Sequence, residues 1–291
     1  MKEEVYDNMD SAIPPGGRKI RENYEKRHLI QDCLESHRRF DYDYIAFGKY
    51  TIPDSTYPYR KKGWKRFVTG LLRTITQIFG PLVNWFGYGA TVRGRKNIRA
   101  LGRKQGAICI SNHFMFLDNL ILRQALGFYR SFHTMTYQNN RGGFLGWILK
   151  HSGMLPFSPD LEAMRNMTNE MERLLKKGKL INFYAERAMW GNYQKPRPLK
   201  EGAFHYAVKF NVPVVPVFCT FKKTRKHGYA QWVVVHILPP IYINEDLPRK
   251  DRIADLKTRT EQAWKECYEK VYKKPLEYLP DVRKNPRPAD D

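Results

Sequence analysis

The stretch Ala107-Ile108-Cys109-Ile110-Ser111-Asn112-His113-Phe114-Met115-Phe116-Leu117-Asp118 decides how the chain reads. Its first four residues are a short, wholly apolar run, the pattern of a strand buried on both faces. Polar residues follow at once, and a helix-like segment runs from Asp118 to Phe128. The same alternation continues outward. Ser131 to Tyr137 reads as a strand, Phe144 to Lys150 as a helix and Leu180 to Tyr184 as a second buried strand. Ser158-Pro159-Asp160 is a helix start, with serine at the cap, proline in the first turn and an acid near the positive end. Leu161, Met164, Met167, Met171, Leu174 and Leu175 then trace one apolar face, read as core packing. Gly202 to Phe210 and Asp251 to Tyr272 read as helices, Val212 to Phe221 and Trp232 to Leu238 as strands. This alternation predicts an α/β fold with a mostly parallel central sheet flanked by helices.

Upstream, apolar residues recur at Trp64, Phe67, Val68, Leu71, Leu72, Ile75, Ile78 and Phe79, a helical spacing with one greasy face. Gly80-Pro81 is expected to break this helix before a second apolar piece, Leu82 to Phe86. Two readings fit: a basic amphipathic helix at an anionic membrane interface, or a helix docked on the protein's own core. The tryptophans and the adjoining Arg60-Lys61-Lys62 favour the membrane. The expected organisation is an extension over 1–62, an amphipathic helical motif over 63–90, an α/β domain over 91–273 and a proline-rich tail over 274–291.

The formal net charge of +22 attracts polyanions: nucleic acid, anionic lipid headgroups, or acidic substrates and carriers. Charge alone does not choose among them, and a non-catalytic basic protein binding anionic membrane or nucleic acid is the competing reading. Paired Cys/His, an aromatic strand signature and a basic helix leading into heptads are all missing from the sequence, so no nucleic acid is expected. The four cysteines are far apart and read as reduced, packed thiols. The acidic start has no apolar core of a signal peptide, and no run reaches the ~18 apolar residues of a spanning helix. The expected location is the cytoplasmic face of the cell membrane, held peripherally.

Sites in open α/β sheets gather beyond the carboxyl ends of strands. Three places qualify: Asn112-His113 onward, Ala185-Glu186-Arg187, and the turn after Tyr137. His113 and Asp118 lie five residues apart, which inside one helix puts them on different faces. With His113 in the turn and the helix starting after it, the carboxylate can fold back, orient the ring and stabilise its charged form. His113 then takes a proton from a hydroxyl as general base. The alternative is a packed histidine beside a helix-start acid. Glu186 reads either as a hydroxyl-binding acid or as a structural acid paired with Arg187. Arg187, Lys195, Arg197 and Lys200 either hold an anionic headgroup or form a solvated basic loop. No histidine has metal-ligand spacing, and no glycine-rich phosphate loop is present.

The order Asn112-His113-x-x-x-x-Asp118, Gly153-Met-Leu-Pro-Phe157, Ala185-Glu186 and Val212-Pro-Val-Val-Pro-Val217 resembles the lysophospholipid acyltransferase family. The best-known members are bacterial 1-acyl-glycerol-3-phosphate acyltransferases. The resemblance runs from about Trp64 to Leu238. It implies acyl transfer from coenzyme A or acyl carrier protein to a lipid hydroxyl, with no metal and no cofactor beyond the donor. It makes His113 the base and Asp118 its partner, with Glu186 and Asn112 near the acceptor and the Val-Pro segment shaping the acyl or acceptor region. Two positions depart from the family pattern. The third motif, usually Pro-Glu-Gly-Thr-Arg, reads Ala185-Glu186-Arg187-Ala188-Met189, and the second, usually closed by arginine, ends Phe157-Ser158-Pro159. Both missing arginines are associated with the acceptor phosphate. The resemblance therefore leaves the headgroup open, with Arg187, Lys195 or Arg197 as replacements. The variant resembles a subgroup of Gram-positive bacteria.

Overall fold

The computed structural model describes residues 50–115, 118–127, 130–187, 189–190, 193–223 and 231–278. The expectations for the start of the extension (1–49) and most of the tail (279–291) lie outside these residues. In chain order the elements are α1 (Gly63–Tyr88), β1 (Thr91–Arg93), α2 (Arg95–Ala100), β2 (Ala107–Ser111), α3 (Asp118–Leu126) and β3 (Ser131–Met135). There follow α4 (Gly143–His151), β4 (Met154–Pro156), α5 (Leu161–Lys176), β5 (Leu180–Phe183), α6 (Gly202–Phe210), β6 (Val214–Lys223), β7 (Gln231–Ile237) and α7 (Arg249–Tyr272).

The strands form one sheet in the order β1-β7-β6-β2-β5-β3-β4. All neighbours pair in parallel except β6 with β7, so the sheet is mostly parallel, as its apolar strands require. Side chains of β2 alternate between two cores. Ile108 and Ile110 face α5, α6 and α7, where Met167, Met171, Phe204 and Trp264 are fully buried. Ala107 and Cys109 face the opposite layer with Ile98 of α2 and Ile121, Leu122 and Leu126 of α3. The methionine stripe of α5 is thus core, with one exception: Leu161 is 87% exposed. The helix starts two residues later than the sequence suggests, because Asp160 is its cap and accepts the Ala163 N–H at 2.7 Å. Such a cap is worth about 1 kcal/mol.

Three differences from the sequence reading matter. First, α1 runs unbroken through Gly80-Pro81. An interior proline costs one hydrogen bond and crowds one carbonyl, a local penalty, and α1 packs against α3 and α4. Second, α1 turns polar groups inward. Buried Arg73 donates to the Ser131 carbonyl at 3.1 Å and Asn84 to Gln124 Oε1 at 2.6 Å. Trp64, Phe67, Leu71, Ile78, Phe79 and Phe86 are exposed, Phe86 at 76%. Third, residues 50–59 of the expected extension are part of the α/β unit. Tyr59 is buried and donates to the Pro156 carbonyl at 2.9 Å, and Thr51 N–H donates to Asn140 O at 2.9 Å.

Candidate active site

Ile110 of β2 lies opposite Phe183 of β5 and Pro216 of β6 in the parallel register. The chains leaving β2 and β5 therefore emerge side by side at the carboxyl edge of the sheet, and their turns are bonded to each other. Asn112 fixes the first turn to β6. Its Oδ1 accepts the Cys219 N–H at 2.8 Å and its Nδ2 donates to Cys219 O at 3.1 Å. Asn112, expected near the acceptor, is buried with both ends of its amide on the main chain of Cys219, and so pins the turn to β6.

His113 stands in that turn and Asp118 is the first residue of α3, the arrangement in which a five-residue spacing closes. His113 Nδ1 lies 2.7 Å from Asp118 Oδ2, and the same oxygen accepts the Phe114 N–H at 3.1 Å. The Asp118 side chain is 1% exposed and that of His113 is 16% exposed, so the acid is sealed in and the ring reaches the surface. A carboxylate on Nδ1 fixes the tautomer in which Nε2 is the basic nitrogen.

Glu186 enters from the β5 turn and is 3% exposed. One oxygen accepts the His113 N–H at 3.3 Å, the other the Arg197 N–H at 3.0 Å. Burial pushes its carboxyl up to about 7, while the Arg197 charge and the two amide bonds pull it down. A second bond between the turns runs from Trp190 N–H to His113 O at 3.0 Å. The structure thus brings His113, Asp118, Glu186 and Arg197 together, but Glu186 reaches the main chain of the histidine rather than an open cleft. Its cationic neighbour is Arg197, not Arg187.

The expected basic cluster divides. Arg197 is buried, its guanidinium 3.8 Å from the centre of the Trp190 ring. Lys195 is half-buried and Arg187 exposed. Arg187 has φ 68°, a left-handed conformation disfavoured for any residue with a Cβ, and its N–H closes a turn onto Tyr184 O at 3.0 Å. The backbone at this position is therefore one that suits glycine better than arginine. The third candidate place, after Tyr137, is covered by the 50–59 segment, with Tyr50 bridged to Arg141.

One neighbour of the pair was not found from the sequence. The Tyr184 hydroxyl donates to Asp118 Oδ1 at 2.7 Å, and its ring stacks on the His113 ring with centres 4.1 Å apart. Tyr184 is 66 residues from Asp118 in the chain, so no local pattern joins them. The only signal was its place at the end of a buried strand. Among the described residues no group of three or more His, Cys, Asp or Glu side chains could hold a metal ion.

Residues 89–220, which span this site from β1 to β6, match the family model described as Acyltransferase. No curated protein matches the chain in sequence. Among solved structures, the chain is similar to the crystal structure of the 1-acyl-sn-glycerophosphate (LPA) acyltransferase PlsC from Thermotoga maritima. The identity is 17% and the TM-score 0.48, over 70% of this chain and 84% of that one.

Proposed function

Starting from the acyltransferase-family domain at residues 89–220, we propose that the protein is a peripheral membrane O-acyltransferase. It moves a fatty acyl group from acyl-CoA or acyl carrier protein to a hydroxyl of a lysophospholipid or related lipid. The observation that carries this reading is the 2.7 Å contact between His113 Nδ1 and Asp118 at the carboxyl edge of a parallel sheet. His113 Nε2 removes the proton of the acceptor hydroxyl as its oxygen attacks the thioester carbonyl. Asp118 stabilises the imidazolium that forms. As the tetrahedral intermediate collapses, the C–S bond breaks and His113 returns the proton to the leaving thiolate. A thiolate is a good leaving group, so proton removal from the hydroxyl is the main task for a side chain.

The membrane part of the proposal rests on α1. Its outward face carries Trp64, Phe67, Phe79 and Phe86, and exposed Phe144 of α4, a helix packed against α1, adds to the apolar surface. No helix of the described residues is long and apolar enough to cross a membrane. Burying aromatics while Arg60, Lys61, Lys62, Lys65 and Arg66 meet lipid phosphates suits an interfacial helix on the cytoplasmic face.

Arg187 and Lys195, at the more open edge of the β5 turn, are the residues we assign to an anionic headgroup; Arg197 and Glu186 hold the turn that presents them. The test is acyl transfer from acyl-CoA and from acyl carrier protein to a panel of lysolipids and glycolipids. Ester product with one acceptor class is expected, and free fatty acid as the sole product contradicts the reading. Sedimentation with anionic vesicles is expected to fall at high salt and in the Phe79→Asp, Phe86→Asp variant.

A further inference from the structure

We propose that Tyr184 is a third working member of the site, a positioning residue that sets the charge and angle of the His113–Asp118 pair through its hydroxyl and its ring. The inference rests on the reading of His113 as general base and extends it to a residue that no local sequence pattern joins to the pair.

The geometry is specific on two sides. Asp118 has two oxygens with different partners. Oδ2 takes His113 Nδ1 at 2.7 Å and the Phe114 N–H at 3.1 Å, while Oδ1 takes the Tyr184 O–H at 2.7 Å. The carboxylate is thereby held against rotation from both ends, and rotation is the motion that breaks the bond to the imidazole. The Tyr184 ring lies on the His113 ring at 4.1 Å with an interplanar angle of 25°. It blocks one face of the imidazole and leaves in-plane approach to Nε2 as the route for a hydroxyl. One side chain therefore limits both partners of the pair.

Tyr184 remains a donor throughout the working range. Burial first, then the adjacent Asp118 charge, hold the phenol well above its ordinary range, so it does not ionise. A hydrogen bond to Oδ1 draws negative charge away from Oδ2. It thus moderates the pull of Asp118 on the proton that His113 must later release to the leaving thiolate. Removing the hydroxyl concentrates that charge on the imidazole side, and the base then holds its proton to higher pH. The groups facing this pair are Glu186 and Arg197 from the β5 turn, Arg123 from α3 and Cys219 from β6, and none of them is altered by the substitution.

The experiment compares wild type with Tyr184→Phe, which keeps the ring and removes only the hydroxyl, and with Tyr184→Leu, which removes both. It uses the full chain on vesicles with an acceptor established in the lysolipid panel. Tyr184→Phe is expected to lower kcat about tenfold, the size of one charge-assisted hydrogen bond, with acceptor KM unchanged. The acid limb of its kcat/KM profile is expected to move up by about half a pH unit. Tyr184→Leu is expected to lose more in kcat. In an Asp118→Asn background, Tyr184→Phe is expected to change the rate less than about twofold, because the carboxylate charge that the hydroxyl moderates is gone. An unshifted acid limb in Tyr184→Phe, or the same tenfold loss in the Asp118→Asn background, overturns the role of the tyrosine. That failure is distinct from failure of the base assignment, which shows as an active His113→Ala and removes both.

Discussion

The turns after β2 and β5 leave the sheet side by side, yet they work in different ways. The β2 turn presents a ring: His113 is partly exposed, and only its Nδ1 side is committed to a buried acid. The β5 turn presents little of its acid: Glu186 is buried, and both oxygens are bound to backbone amides, one of them that of His113 itself. The two acids, Asp118 and Glu186, are equally hidden but serve different parts of one histidine. Asp118 governs the side chain and Glu186 the main chain. An acid at a strand end is therefore not by its position a substrate-binding group; where its oxygens point decides.

The largest expected effect separates these roles. Asp118→Asn keeps the shape and loses the charge, and kcat is expected to fall about 10³-fold with the melting temperature changed far less, since general-base catalysis is worth about 10²–10⁴-fold. Glu186→Gln is expected to do the reverse and act mainly on stability. Glutamine has one acceptor oxygen where two backbone N–H groups need one each, a cost of about 1–3 kcal/mol in urea unfolding. That cost depends on pH. The Glu186 carboxyl rises from 4.5 to about 7 in the fold, so the folded state holds the proton more tightly. Its contribution to stability is present below 4.5 and is lost as pH rises through about 7. The gap between wild type and Glu186→Gln is expected to narrow over that window; a gap that widens means the carboxyl is not held protonated by burial.

The smallest effect concerns the backbone of the β5 turn. Arg187→Gly relieves a left-handed conformation costing about 1–2 kcal/mol, against about 0.5–1 kcal/mol for the greater freedom of glycine in the unfolded chain. A net gain of up to about 1.5 kcal/mol is expected in unfolding, together with a higher KM for acceptors with anionic headgroups. A loss of stability means that the arginine side chain holds the turn.

Much of this site was legible because it is built on local patterns. The apolar runs of β2 and β5 have no other stable place than the sheet interior, and the five-residue spacing from His113 to Asp118 closes only across a turn, as found. What was not legible depends on partners distant in sequence. The hydroxyl of Tyr184, the amide of Asn112 on Cys219 and the stacking of Arg197 on Trp190 follow from strand order, which composition does not carry. The three-residue strand β4 is too short for periodicity to reveal. The greasy spacing of α1 and of α5 is alike in sequence, yet Met167 and Met171 are buried while Phe79 and Phe86 are exposed. Only the inward-turned Arg73 and Asn84 tell which face of α1 meets the protein.

The role of His113 as the base of an acyl transfer is tested most directly by the initial rate of ester formation by His113→Ala on vesicles, with an acceptor that the wild type is shown to use. A fall of about 10³-fold or more is expected, with vesicle binding and unfolding temperature retained. Ester formation at the wild-type rate contradicts it.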